Sequence, residues 1–253
     1  TEQLMKILHT ADWHLGQTFY EYDRREEHFH FLEWLKQQIK QHEIDVLLIA
    51  GDVFDSPNPS AESQRVYYRF LREVTSENPS LQIVIIAGNH DSAARLEAPN
   101  PLLEDMNIIV RGTVRRNAEG DIDLQHFIVP LYTEGKVTAY CLAVPYLRQG
   151  DYPSAENYSK GVQQLYEQLF NKVKEKGIPV VAMGHLQATG SEISEDDRSE
   201  RTVIGGLECV SPDAFNEAIT YTALGHLHRS QRVSHRENVR YSGTPMPMSC
   251  LLY

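Results

Sequence analysis

Five short clusters of aspartate, asparagine and histidine are the residues in this sequence best suited to chemistry. They are Asp12-Trp13-His14, Gly51-Asp52-Val53-Phe54-Asp55, Gly88-Asn89-His90-Asp91, Gly184-His185 and Gly225-His226-Leu227-His228. Carboxylates, amide carbonyls and imidazoles together are typical ligands of Mn, Fe or Zn, and less typical of Mg. The clusters therefore predict a metal site whose ligands are Asp12, His14, Asp52, Asn89, His185, His226 and His228.

The size of this ligand set predicts two metal ions. Seven ligands are too many for one tetrahedral zinc, but they suit two cations about 3.5–4 Å apart, as in two-metal hydrolases. Such a pair needs a bridging carboxylate, and Asp52 is the candidate. Hydrolysis also needs a proton donor for the leaving oxygen, and His90 fits that role of general acid. Asp55 or Asp91 could orient the His90 ring; the alternative is that His90 only packs beside the ligands.

Taken singly, the clusters are weak signals. An Asp-x-His after a strand is mostly a turn, and Gly-Asn-His-Asp fits a turn as well as a site, because Asn and Asp tolerate left-handed backbone. Five clusters in order, each following a strand, favour the metal site. The remaining histidines lack this context and are predicted to be solvated or packed: His9, His28, His30, His42, His126 and His235.

Apolar runs precede the clusters and predict the strands that position them. Short runs rich in Ile, Leu and Val fit buried parallel strands. Ligands of open α/β sheets bind beyond the carboxyl ends of such strands, so the five clusters should converge. The runs are Met5–Leu8, Asp45–Ala50, Leu81–Ala87, Val180–Met183 and Ile219–Leu224, and helical spacing lies between them at His28–Ile39, Val66–Val74 and Val162–Val173.

Two further segments have their own patterns. Alternating apolar residues in Asp121–Tyr146, from Ile122, Leu124, Phe127 and Val129 to Tyr140, Leu142 and Val144, predict antiparallel strands joined near Glu134-Gly135 that extend a second sheet. The polar, acidic stretch Ser191–Arg201 predicts a solvated, mobile loop.

Composition limits the class of protein. The 253 residues, of which 41% are hydrophobic, suit one large domain. No apolar run is long enough to span a bilayer, and no signal peptide is recognisable. Cys141, Cys209 and Cys250 lie far apart and predict reduced thiols in a cytoplasmic protein. The net charge of -11 argues against a broad nucleic-acid-binding surface, although two divalent cations would offset about four negative charges.

The motifs resemble the calcineurin-like metallophosphoesterase superfamily. Their flanking sequences are more specific and resemble the SbcD-like nucleases, a family of DNA double-strand-break repair nucleases that work with an SbcC ATPase. These sequences are His9-Thr10-Ala11-Asp12-Trp13-His14-Leu15-Gly16-Gln17, Ala50-Gly51-Asp52-Val53-Phe54-Asp55, Ala87-Gly88-Asn89-His90-Asp91-Ser92, Ala223-Leu224-Gly225-His226-Leu227-His228-Arg229 and Arg240-Tyr241-Ser242-Gly243-Thr244-Pro245. The resemblance covers nearly the whole chain.

The resemblance implies an α/β fold of two stacked mixed β-sheets flanked by helices, a four-layer sandwich. It implies a Mn²⁺-dependent exonuclease on double-strand ends and endonuclease on single strands and hairpins, acting in DNA repair, recombination and replication. One metal would be held by Asp12, His14, Asp52 and His228 and the other by Asp52, Asn89, His185 and His226, with His90 as the catalytic histidine.

The same resemblance implies partners and a domain plan. Members bind DNA and an SbcC-like ATPase, and they pair as homodimers through helices corresponding here to Ser60–Thr75, with Tyr67, Tyr68, Phe70 and Leu71, and to Leu96–Met106. The alternative is that these apolar residues only cover the sheet. Members also continue past Gly-Thr-Pro into a DNA-contacting cap and an ATPase-binding segment. Since this sequence stops at Tyr253, we expect residues 1–253 to be the nuclease core without them.

Two other functions stay open at this point. A related phosphatase or phosphodiesterase acting on a non-DNA phosphoester would have the same metal ligands, because substrate choice depends on the pocket and loops. A scaffold that has lost its chemistry would keep the fold, but here all seven ligands and His90 are present.

Overall fold

The computed structural model describes residues 4–193 and 209–248. Cys250 and the part of the acidic loop from residue 194 onward lie outside these described residues. The strands, in chain order, are β1 (Ile7–Thr10), β2 (Thr18–Phe19), β3 (Tyr22–Asp23), β4 (Val46–Ala50), β5 (Gln82–Ile86), β6 (Ile108–Arg111), β7 (Ile128–Thr133), β8 (Lys136–Ala143), β9 (Val180–His185), β10 (Tyr221–Gly225), β11 (Gln231–Val233) and β12 (Arg236–Tyr241). The α-helices are α1 (Arg25–Gln41), α2 (Ala61–Glu77), α3 (Ala93–Glu97), α4 (Asn100–Leu103), α5 (Leu124–Phe127) and α6 (Tyr158–Val173).

Two sheets stack face to face. The first has the order β1-β4-β5-β6 and every pair in it is parallel. The second has the order β11-β12-β10-β9-β8-β7, with antiparallel pairs at both edges and parallel pairs between them. The prediction of two stacked sheets is confirmed, but only the second sheet is mixed. The first is wholly parallel because helix-containing crossovers make its connections.

Helices cover the outer face of each sheet and complete four layers. α1 and α2 pack their apolar faces, including Leu35, Ile39 and Phe70, on the first sheet. α6 packs on the second sheet through Leu165 and Leu169. A third apolar cluster, with Leu48 among its buried members, fills the space between the sheets. The helix starts also follow capping rules: Ser60 accepts from the Ser63 N–H, and Asn157 accepts from the Lys160 N–H.

The segment before β7 differs from its predicted form. Leu124–Phe127 is a short helix, so the first half of the predicted strand is wrong. The second half is confirmed: β7 and β8 pair antiparallel around Glu134 and Gly135, both of which have positive φ. A single helical turn is too short for its spacing to be separated from strand alternation.

Fewer apolar residues of α2 are exposed for a dimer contact than the sequence suggested. Tyr67, Phe70 and Leu71 are buried against the first sheet, so they cannot form a dimer interface. Tyr68 is only partly buried, and Leu102 on α4 is 74% exposed. Among the described residues, no helix has the length and apolar character needed to cross a membrane.

Candidate metal centre

The loops after β1 and β4 run side by side and set the first candidate ligands. The Asp12 N–H donates to the Gly51 carbonyl and the His14 N–H to the Asp52 carbonyl, each at 3.0 Å. Between them, Trp13 packs in the outer core against Phe31 and Phe70 and donates to Thr10 Oγ1 at 2.9 Å. Because Trp13 is anchored in the core, Asp12 and His14 are free to face the other loops.

Four candidate ligands have strained backbone. Asp12, His14, Asp52 and His226 have φ values of 55°, 48°, 49° and 101°. Each residue other than glycine in the left-handed region costs on the order of 1–3 kcal/mol, and such residues cluster at functional sites. The hydrogen bonds between the loops hold this conformation, so the strain is concentrated where the motifs meet.

Two motif glycines lie so close to neighbouring atoms that a side chain would not fit. A Cβ on Gly88 would collide with the carboxylate and backbone nitrogen of Asp52. A Cβ on Gly225 would collide with the Ala50 carbonyl oxygen, which belongs to the other sheet. Glycine at these positions therefore lets the strand ends of the two sheets meet.

Asp52 lies at the centre of the cluster and is fully buried. Its Oδ1 accepts from the His90 N–H at 2.9 Å. Its Oδ2 lies 3.3 Å from His185 Nε2 and 3.7 Å from His14 Nε2. Asp52 is thus close to side chains from three other strand ends, which is the position that a bridging carboxylate must have.

Asn89, His185 and His226 form one group beside Asp52. The Asn89 Oδ1 lies 2.9 Å from His185 Nε2 and 3.0 Å from His226 Nδ1. His185 Nδ1 donates to the Ala50 carbonyl at 2.8 Å, which fixes the ring so that Nε2 faces the cluster. A histidine whose second ring nitrogen donates to a main-chain carbonyl in this way is typical of metal-binding histidines.

Asp12, His14 and His228 form a second group. Their potential ligand atoms lie within 4.8 Å of one another, as do those of Asp12, Asp52 and His185. The His14 and His228 rings meet edge to face at 5.1 Å. His14 Nδ1 is held at 3.2 Å by Asp55 Oδ1. All seven predicted ligands therefore gather in one place at the carboxyl ends of the strands.

A main-chain group contacts the His90 ring: its Nδ1 donates to the carbonyl of Asp55 at 2.9 Å. Asp91 accepts from the N–H groups of Val53, Phe54 and Gly88 at 3.2, 3.0 and 2.9 Å. Asp91 is 2% exposed and ties the second and third motif loops together. Its position within a motif was visible in the sequence, but this role was not.

Burial and mutual charge shift the pKa values of the cluster. Burial raises the pKa of Asp12 to about 7, and the Asp52 charge adds to this against the opposing effect of His185 and His228. Burial also works to raise the pKa of Asp52, but the adjacent His185 outweighs it and holds that pKa below its usual range. Burial lowers the pKa of His185, yet the Asp52 carboxylate overcomes this and raises it to about 9. The protonation of Asp12, Asp52 and His185 is thus set by burial and by the charges of neighbouring groups in the cluster.

The donor set fits divalent metal ions. His14 Nε2 and Asp52 Oδ2 are buried and have no hydrogen-bond partner among the described residues. Buried polar atoms without partners are costly, and a cation bound by both atoms removes that cost. The groups are carboxylate oxygens and imidazole nitrogens within 4.8 Å of one another, and borderline divalent metals bind such donors.

The sequence profile of the calcineurin-like phosphoesterases matches residues 5–230. The chain belongs to this family. The matched range includes all five motifs, and together with the Asp and His cluster it supports a centre for divalent metal ions.

Two curated relatives of this phosphoesterase are nucleases by name. The SbcD component of the nuclease SbcCD from Rhodobacter capsulatus is 42% identical over 257 residues, which cover 97% of this chain and 63% of that protein. The protein of the same name from Escherichia coli K12 is 33% identical, covering 97% of this chain and 61% of its own length. The chain therefore spans less than two thirds of the length of these relatives.

Among solved structures, TT1561 of Thermus thermophilus has the same fold. It matches with a TM-score of 0.50 and 11% identity, over 96% of this chain and 90% of that one. At this identity the likeness concerns the fold alone.

Proposed function

We propose that the chain is a two-metal DNA nuclease, and the position of Asp52 carries this proposal. One carboxylate lies beside both ligand groups, at 3.3 Å from His185 Nε2 on one side and 3.7 Å from His14 Nε2 on the other. A bridging carboxylate of this kind holds two cations close enough to act on one phosphate. The ligand sets proposed are Asp12, His14, Asp52 and His228 for one ion and Asp52, Asn89, His185 and His226 for the other.

The bound ions would be Mn²⁺, because an imidazole-rich site with carboxylate and amide oxygens suits Mn better than Mg. When bound, such ions polarise a phosphoryl oxygen and lower the pKa of a bound water. The chain's own residues bind and orient them: Asp91 and Asp55 hold the motif loops and the His14 ring in place.

His90 is proposed as the group that gives a proton to the leaving oxygen. Its Nδ1 is engaged with the Asp55 carbonyl at 2.9 Å, which fixes the ring and directs Nε2 for proton transfer. Its ring lies 4.9 Å from that of His14, so it borders the metal centre. This position supports a role as general acid beside the reacting phosphate.

DNA is the proposed substrate because both relatives are named nucleases and match 97% of this chain. We propose exonuclease activity on double-strand ends and endonuclease activity on single strands and hairpins, within DNA repair. The chain would form one nuclease core. The buried, free thiol of Cys141 fits the reducing cytoplasm that we propose for this chain.

An SbcC-like ATPase is the proposed partner, since the relatives are named as components of SbcCD. With 24 basic against 35 acidic residues, this chain alone should bind duplex DNA weakly and with strong salt dependence. Fluorescence anisotropy on a short duplex at low and at physiological salt checks this. Tight binding by the chain alone at physiological salt would contradict the need for a partner.

Homodimerisation is a further proposal, with a changed interface. Since Tyr67, Phe70 and Leu71 are buried, the contact would use the exposed Leu102 and the partly buried Tyr68. Light scattering at high protein concentration gives the mass directly. A dimer that Leu102→Glu dissociates supports the proposal, and a monomer at high concentration excludes it.

A substrate panel tests the nuclease proposal itself. The chain is incubated with Mn²⁺ and either linear duplex DNA, a phosphopeptide or a generic phosphodiester, with the His90→Ala variant as control. We expect Mn²⁺-dependent release of nucleotides from DNA that His90→Ala largely loses. Release of phosphate from the phosphopeptide with intact DNA would instead indicate a phosphatase.

A further inference from the structure

The two sheets meet at the metal centre without sharing a strand ladder. β1, which leads to Asp12, is an edge strand of the first sheet, and β10, which leads to His226, lies within the second. Their relative position therefore depends largely on side chains packed between the sheets. Most of those side chains are apolar, and apolar contacts do not fix a position as sharply as hydrogen bonds do.

His9 on β1 makes a polar connection across this gap. Its Nε2 lies 3.1 Å from the Leu224 carbonyl and its Nδ1 lies 3.0 Å from the Tyr221 hydroxyl, and both partners are on β10. A carbonyl oxygen only accepts, so His9 Nε2 donates and Nδ1 accepts from the tyrosine. Burial lowers the pKa of His9 to about 4, although the bond to Leu224 works in the opposite direction, and the ring is neutral near pH 7.

This connection lies next to a second one that involves two candidate ligands. The His226 N–H donates to both oxygens of the Asp12 carboxylate, at 3.0 and 3.2 Å. His9 precedes Asp12 by three residues and Leu224 precedes His226 by two. The His9 bonds thus join β1 to β10, and the Asp12 bonds join the loops that directly follow these two strands.

We propose that His9 is a positioning residue for the ligands of both ions, an inference that rests on the proposed metal centre. It fixes the distance between β1 and β10, and through them the separation of Asp12 from His226. The sequence alone indicated no such role for His9, because its partners lie 212 and 215 positions away.

Gln82 provides a matched control at the other end of the sheets. Its Nε2 donates to the Pro130 carbonyl at 2.8 Å, and its Oε1 accepts from the Tyr132 N–H at 3.2 Å. This is also a side-chain connection from the first sheet to the second. Gln82 is the first residue of β5, whereas Asn89 follows the last, so this connection is remote from the metal centre.

The test measures binding of Mn²⁺ alone by calorimetry and thermal unfolding of the metal-free chain. The variants are His9→Leu, His9→Gln and Gln82→Leu. His9→Leu should weaken Mn²⁺ binding by about 10–100-fold, the usual effect of losing a group that orients metal ligands. His9→Gln keeps an amide donor for the Leu224 carbonyl and should restore most of the affinity. Gln82→Leu should lower the unfolding temperature but leave Mn²⁺ affinity unchanged.

A second readout follows the His9 ring directly. In NMR spectra of ¹⁵N-histidine-labelled protein near pH 7, His9 should give the signal of a neutral ring protonated at Nε2. That signal should be absent from the spectrum of His9→Gln. Wild-type Mn²⁺ affinity in His9→Leu, or no recovery in His9→Gln, would overturn the positioning role while leaving the metal centre in place. A wild-type chain that binds no Mn²⁺ would overturn the metal centre as well.

Discussion

The space between the two sheets changes character along the strands. In its middle it is apolar, with Val46, Leu48 and Met183 fully buried. At the carboxyl ends it holds Asp12 and Asp52, which are just as buried. Apolar burial stabilises a fold by about 25 cal/mol per Å², whereas buried ionised groups destabilise it unless they are paired. The contact between the sheets thus stabilises the fold in the middle of the strands and holds the candidate metal ligands at their carboxyl ends.

Removing the Asp52 carboxylate should have the largest effect on the metal centre. We expect Asp52→Ala to abolish activity and to lower metal content at both positions, because the two proposed ligand sets share this residue. Metal analysis by mass spectrometry and a DNA-release assay measure both consequences. Two full equivalents of metal in this variant would refute the bridging role.

Replacing His90 should separate proton transfer from metal binding. We expect His90→Ala to keep both metals and to lose about 10²–10⁴-fold in turnover, as for loss of a general acid. The same metal analysis and a steady-state assay check this. Metal content that falls together with activity would mean that His90 is a ligand.

A substitution in the apolar middle of the space between the sheets should lower stability and leave metal binding unchanged. Leu48 is completely buried between the sheets, and Leu48→Ala should cost about 2–5 kcal/mol in the free energy of unfolding. Metal content and turnover at room temperature should stay near wild type, provided the variant remains folded. Urea unfolding measures the first and the DNA assay the second. A loss of metal with unchanged stability would show that the two regions are not separable.

The last expected effect concerns the pH dependence of metal binding. The pKa values of Asp12 and His185 are raised to about 7 and about 9 in the metal-free chain. Metal ions bind the deprotonated ligands, so binding releases protons. Mn²⁺ affinity should therefore rise from about pH 6 to about pH 9, by at most about tenfold per pH unit for each proton released. Calorimetry in buffers of different ionisation enthalpy counts those protons, and affinity that is independent of pH would exclude this competition.

Much of the site could be predicted because its residues follow strands directly. Side-chain type and strand-end position are local properties, so the gathering of Asp12, Asp52 and His185 was predicted without knowing any contact. The family resemblance implied the two stacked sheets, and the turn at Glu134-Gly135 was predicted from the residues because a glycine after an acidic residue is also a local signal.

What could not be predicted depends on partners distant in sequence. Asp91 bonds N–H groups of the second motif loop 37 and 38 residues away, and His9 bonds the opposite sheet. Neither contact leaves a periodic pattern. The order of the second sheet was equally hidden, because β12 lies between β10 and β11 although it follows both in the chain.

The location of the bound metals tests the two-metal centre most directly. Anomalous diffraction from crystals of the full chain soaked in Mn²⁺ identifies each ion independently of activity. We expect two peaks about 3.5–4 Å apart, with Asp52 bound to both, His14 and His228 at one, and His185 and His226 at the other. A single peak, or two peaks that do not share Asp52, would contradict the two-metal centre.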